Sequence, residues 1–173
     1  MRNWPPGSTS RTKARSAAGI DVSFEQVRPR LTSGRPLVID ADTGACFRTR
    51  GAAIDSPGAV GRLLRSRPDS VLAHHRAEVQ SRVTILTALT ADTTPRALAE
   101  VGMEHRSALL TGIAVELALE AAHAADKPVA VAGVLGSEMV AALQPHRMSE
   151  ELVEHATRIA AAGVELILAR GQG

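Results

Sequence analysis

The sequence predicts an α/β fold with a parallel sheet assembled from βα units. Three observations carry this reading. Four short apolar runs, at residues 37–39, 83–87, 129–134 and 164–169, are continuous rather than alternating, as expected of strands buried on both faces. Helical segments separate each run from the next, the order that gives parallel strands joined by right-handed crossovers. The chain of 173 residues, 45% hydrophobic and 22% charged, also has enough apolar material for one packed domain.

Composition narrows the class further. Aromatics are only 2% and Tyr is absent, so the core must be built from Ala, Val, Leu and Ile. Such a core has little π-surface for stacking bases, which argues against nucleic acid as a partner. Positive charge is confined to the start. Residues 1–35 hold seven Lys/Arg against Asp21 and Glu25, whereas the remaining chain has thirteen basic and sixteen acidic residues. Rich in Pro, Ser, Gly and Arg and without a period, residues 1–35 read as a disordered, solvated basic leader, and residues 36–173 as the folded domain. Cys46 is the single cysteine, so no intramolecular disulfide can form, and no cysteine metal site is expected from this chain alone. That usage suits a reducing compartment and a cytoplasmic location. No run of 18 uncharged apolar residues occurs, so no membrane contact is expected.

Taken in order, the first run, Leu37, Val38 and Ile39, opens into Asp40-Ala41-Asp42-Thr43-Gly44. Loops at the C-terminal ends of parallel strands are where α/β folds place ligands, although Asp and Gly there also fit a simple turn. Ser56 and Pro57 can cap and start a helix, and a second helix is predicted over 69–81 with Val71, Leu72, His75 and Val79 near one face. His74 and His75 are adjacent, point about 100° apart on a helix and cannot share one ion; solvated or half-buried histidines are expected. The second run, Val83 to Thr87, leads to a hydroxyl-rich loop closed by Thr94 as cap and Pro95 at a helix start. A long helix is predicted over 104–125, with Leu109, Ile113, Leu117 and Ala121 as its core-facing stripe. The third run is followed by Leu135-Gly136-Ser137. A helix over 150–162, capped by Ser149, stapled by Met148 and Val153 and stopped by Gly163, precedes the fourth run.

In this order the segments resemble the homocysteine S-methyltransferase family, whose members are (β/α)₈ barrels that methylate the homocysteine thiol to give methionine. The family's first strand ends Asp-Gly-x-Met-Gly-Thr, and here Asp40-Ala41-Asp42-Thr43-Gly44-Ala45 stands there, with Arg50-Gly51 after it. Val71-Leu72-Ala73-His74-His75-Arg76 is similar to a Val/Leu-x-x-His-Arg run in its helix pair. Ile85-Leu86-Thr87-Ala88-Leu89, then Asp92-Thr93-Thr94-Pro95, resembles its second strand and the turn beyond. Val131-Ala132-Gly133 with Gly136, and Ala161-Ala162-Gly163-Val164-Glu165-Leu166, match the third strand and the approach to the fourth.

The resemblance implies a TIM-barrel-like fold of which four βα units form an incomplete, half barrel. It implies Asp40, Gly44 and Thr87 as substrate-binding residues, with Asp40 a ligand for the amine of a small amino acid. Departures from the family pattern bear on activity. The family's zinc is held by cysteines from the second half of the barrel, and zinc is what keeps the substrate thiol ionised. No catalytic or metal-ligating residue is therefore assigned here, and zinc is expected only if a complementary half supplies it. The family's strand-four glutamate, which helps hold the amino group, corresponds to Arg170, and its second-strand asparagine to Ala88. Three readings follow: half of a split or shortened methyltransferase, inactive alone; a non-catalytic half-barrel binding module; or a chain whose basic leader engages an acidic partner or nucleic acid. The apolar edge strands further imply a homodimer or pairing with a complementary barrel half.

Overall fold

The computed structural model of the chain describes residues 24–51, 54–136 and 142–171. Residues 1–23 of the basic leader, and Ser137, lie outside the described residues. Within them the order is a 3₁₀ turn at Phe24–Gln26, α1 (Arg28–Thr32), α2 (Thr43–Thr49), α3 (Ala59–Ser66), α4 (Pro68–Gln80), β1 (Ile85–Ala88), α5 (Pro95–Ala99), a 3₁₀ turn at Glu104–Arg106, α6 (Ser107–His123), β2 (Ala130–Gly136), α7 (Pro145–Ala161) and β3 (Leu166–Arg170). The strands are parallel in the order β1-β2-β3, with Ile85 opposite Ala130 and Ala132 opposite Leu166.

Four strands were expected from the apolar runs; among the described residues the sheet has three. The first run is extended and parallel to β1 but joins it through a single bridge between Ile39 and Ile85. The reason is local. The Thr84 hydroxyl accepts from the Val38 N–H at 2.7 Å and donates to the Val38 carbonyl at 3.0 Å, so a side chain occupies the place of a ladder bond. Val38 is 51% exposed, which corrects the expectation of a strand buried on both faces. Among the described residues the sheet thus has three strands, with the first run bridged in parallel to its β1 edge.

Thr90 repeats this device just beyond the other end of β1. Its hydroxyl donates to the Val134 carbonyl and accepts from the Val134 N–H, both at 2.8 Å, splicing the loop after β1 onto β2.

Strand alternation separates two packed faces. Leu86, Ala88 and Val131 meet Val115, Ala118, Ala121 and Ala122 of α6, where the small alanines let helix and sheet approach closely. Ile85, Ala130 and Ala132 point the other way and pack around Val27. Val27 is buried and lies in the segment read as a leader, of which Phe24–Gln26 and Arg28–Thr32 are helical. A second cluster, from Phe47 and Ile54 through Leu64, Val71 and Leu98 to Leu110, joins α2, α3, α4 and α5 to α6. Gly133 on β2 is there for packing, since an added Cβ would overlap the Ile159 side chain of α7.

Several helix expectations shift. The core face of α6 carries Leu110, Ala114, Val115, Ala118 and Ala121, whereas Leu109 is 58% exposed. That helix is apolar on most sides, so spacing alone left its buried face one residue out of place. Helix α7 starts at Pro145 rather than near Glu150, because proline suits a first helical position, and Val153 is exposed rather than stapled. Helix α3 follows Gly58 without a side-chain cap from Ser56. The Thr94 cap of α5 stands, accepting from the Ala97 N–H at 3.1 Å. So does the stop after α7, where Gly163 has φ +109°.

Candidate functional site

The C-terminal ends of the parallel strands gather the residues singled out in the sequence. Asp40 follows the bridge residue Ile39, and Thr87 is the third residue of β1. The Thr87 N–H donates to one Asp40 carboxylate oxygen at 3.0 Å, and the Thr87 hydroxyl donates to the other at 3.1 Å. Burial pushes the Asp40 carboxyl up to about 6, against the lowering pull of the Thr87 bonds and with a further push from the Glu78 charge. The group therefore changes charge near neutral pH.

Asp42 does a different job. Its carboxylate accepts from the Ala45 N–H at 2.8 Å, capping α2, and it also takes the Arg170 guanidinium at 3.0 Å. Gly44 sits buried in the first turn of α2, where an added Cβ would come within 3.2 Å of an Asp42 oxygen. Asp42 and Gly44, with Thr87, Thr90 and Arg170, line a cleft of about 60 Å³; Asp40 lies behind Thr87 and is not among its lining residues. Asp40, Gly44 and Thr87 are thus brought to one end of the sheet, and Arg170 closes one side of it.

Behind the cleft, the loop after β1 is fixed by hydroxyls. Thr93 donates to the Thr90 carbonyl at 3.0 Å and shares a hydrogen bond with Thr111 at 2.8 Å, while Ser107 donates to the Thr93 carbonyl at 2.6 Å. His155 of α7 donates from Nε2 to the Thr90 carbonyl at 2.9 Å, and burial lowers its basicity. The sequence marked this loop as hydroxyl-rich but gave no sign that His155 would reach it.

His74 and His75 correct a second expectation. They are not solvated: His74 is 2% exposed and His75 is fully buried. None of their four ring nitrogens has a hydrogen-bond partner among the described residues. Burial lowers both, His75 to about 4.

A family model described as homocysteine S-methyltransferase matches residues 37–170. The chain belongs to the homocysteine S-methyltransferase family. Two crystal structures of the homocysteine methyltransferase MmuM from Escherichia coli share its fold. The oxidized form aligns at TM-score 0.71 and 19% identity over 82% of this chain and 55% of its own. The metallated form aligns at TM-score 0.71 and 18% identity over 84% and 57%. The chain therefore spans little more than half the length of these two structures. No curated protein matches it in sequence. Among homocysteine S-methyltransferase family members the zinc expected from the resemblance needs several cysteines, and the donor set at this cleft does not fit it. Cys46 is the single cysteine, it lies on α2, and it does not line the cleft.

Proposed function

We propose that this chain is the amine-recognising half of a homocysteine S-methyltransferase, silent alone and completed by a second half. That half would be a second copy or a complementary chain, supplying the remaining wall and the zinc thiolates. The observation that carries this reading is Asp40, a carboxylate held in a fixed orientation by both donors of Thr87 at the strand ends. An ionised carboxylate so placed recognises the ammonium of a small amino acid. The cleft volume supports incompleteness, since about 60 Å³ is far below the roughly 300–1,000 Å³ of small-molecule pockets. The half-buried Leu166, Ile167 and Leu168, together with the exposed Val38, supply the apolar edge for the second half.

A binding module without catalysis is the second reading, favoured by the Arg170–Asp42 pair where the family pattern has a glutamate. Calorimetry with L-homocysteine and an assay for methionine test both. The purified chain is expected to form no methionine from homocysteine and a methyl donor. Asp40→Asn should weaken homocysteine binding by roughly ten- to a hundredfold, the worth of one hydrogen bond to a charged group. Chelator-sensitive methionine formation by the chain alone would refute its being half of an enzyme. Unchanged binding in Asp40→Asn would remove Asp40 from the amine site.

A further inference from the structure

We infer that the chain carries a divalent transition-metal site of its own, formed by Cys46 of α2 and His74 and Glu78 of α4. One donor atom from each of these residues lies within 4.8 Å of the other two. His74 and Glu78 are four residues apart on one helix, and therefore on one face, with the imidazole Nε2 and a carboxylate oxygen 3.9 Å apart. A tetrahedral ion with ordinary zinc–ligand distances would hold such donors about 3.3–3.6 Å apart. Binding therefore requires the three donors to draw together by up to about 1.5 Å.

A second, independent observation points to a ligand. His74 is 2% exposed, packs edge-on against Phe47 at 5.4 Å between ring centres, and leaves both ring nitrogens without a hydrogen bond. A buried imidazole normally has a partner, because an unmet polar group there costs about 1–3 kcal/mol. A metal ion between α2 and α4 supplies one, for the ring nitrogen that ligates it. Cys46 and Glu78 are half-buried, so an ion can enter from solvent and a water can complete its shell.

One thiolate, one imidazole and one carboxylate form a borderline donor set that suits zinc or cobalt(II) rather than magnesium or calcium. Binding requires the Cys46 thiol to lose its proton to solvent as the metal–sulfur bond forms. The single cysteine argued against a metal centre in the linear sequence. It is not a bar once a helix from before β1 is folded against His74 and Glu78. This site shares no lining residue with the strand-end cleft, although the Glu78 charge is felt by Asp40, and it does not rest on the proposed methyltransferase role.

The test is titration of the full-length, metal-free protein with cobalt(II), read by absorption. One equivalent should bind, with a thiolate-to-cobalt charge-transfer band that zinc abolishes by displacement. Loss of an outer partner of a metal ligand already costs 10–100-fold in affinity, so Glu78→Gln should cost at least about a hundredfold. Cys46→Ser should remove the charge-transfer band altogether. Both substituted side chains are partly exposed, so both variants should fold. His105→Gln, an exposed histidine elsewhere, should leave the titration unchanged. Absence of cobalt uptake by the wild-type chain, or a titration identical in Cys46→Ser and Glu78→Gln, would overturn the assignment.

Discussion

Behind β1 the chain buries four hydroxyls, those of Thr90, Thr93, Thr111 and Ser107, and on α4 it buries the two imidazoles of His74 and His75. The first group is closed on itself. Every hydroxyl in it has a partner, either a backbone group of Val134, Thr90 or Thr93 or another hydroxyl. The imidazoles make no hydrogen bond among the described residues. A satisfied network is explained by folding, because each bond offsets the loss of water. An unsatisfied one is not, because each buried nitrogen keeps the cost of its lost water.

The contrast can be tested from both sides. The largest effect is expected for Thr93→Val, which leaves the Thr111 hydroxyl and the Thr90 carbonyl with one partner fewer. A loss of about 1–3 kcal/mol should appear as a lower urea midpoint. A neutral result would mean that these bonds contribute nothing net and that satisfaction is no guide here.

A pH-confined effect comes from Asp40. Its folded pKa of about 6 lies above the ordinary carboxyl value of 3.8, so the native state binds the proton more tightly than the unfolded chain. That contribution is fully present below about pH 4 and is lost as pH rises through 6. The native carboxyl faces Thr87, with the Glu78 charge acting on it from α4. Urea midpoints measured from pH 4 to 7 should therefore fall more steeply with pH in the wild type than in Asp40→Asn. Parallel curves would show that Asp40 titrates normally.

The smallest effect is expected for His75→Leu. Replacing an unpartnered buried imidazole by an apolar side chain of similar bulk should shift stability by less than about 1 kcal/mol, and an increase is as consistent as none. Cobalt(II) uptake should persist, since His75 is outside the proposed ligand set. A loss as large as that of Thr93→Val would reveal a bond to His75 and erase the contrast.

Much of this architecture was legible. Residues 85–88, 130–136 and 166–170 stand out because buried parallel strands are continuously apolar, and Thr94, Pro95 and Gly163 mark helix ends by local chemistry. The face of α6 was not legible, because Leu109, Ile113 and Leu117 are as apolar as Leu110, Ala114 and Ala118, and only packing chooses between the two rows. At the candidate site, Asp40 and Thr87 could each be placed at a strand end. Their mutual hydrogen bonds depend on the pairing of residues 38–40 with 84–87, which periodicity does not specify. Cys46 near His74 is beyond any local rule, since it depends on how α2 docks on α4.

Gly133 carries a mechanical consequence. With no side chain at that position, Ile159 seats directly on β2, and α7 rides low over the sheet. One turn earlier on the same helix face, His155 grips the Thr90 carbonyl, and Thr90 in turn grips Val134, the residue after Gly133. Helix, loop and strand thus form a closed linkage, with a glycine as its pivot seat and an imidazole as its connecting rod. Because the interior is close-packed, these contacts tie the position of α7 to the loop that forms part of the cleft wall.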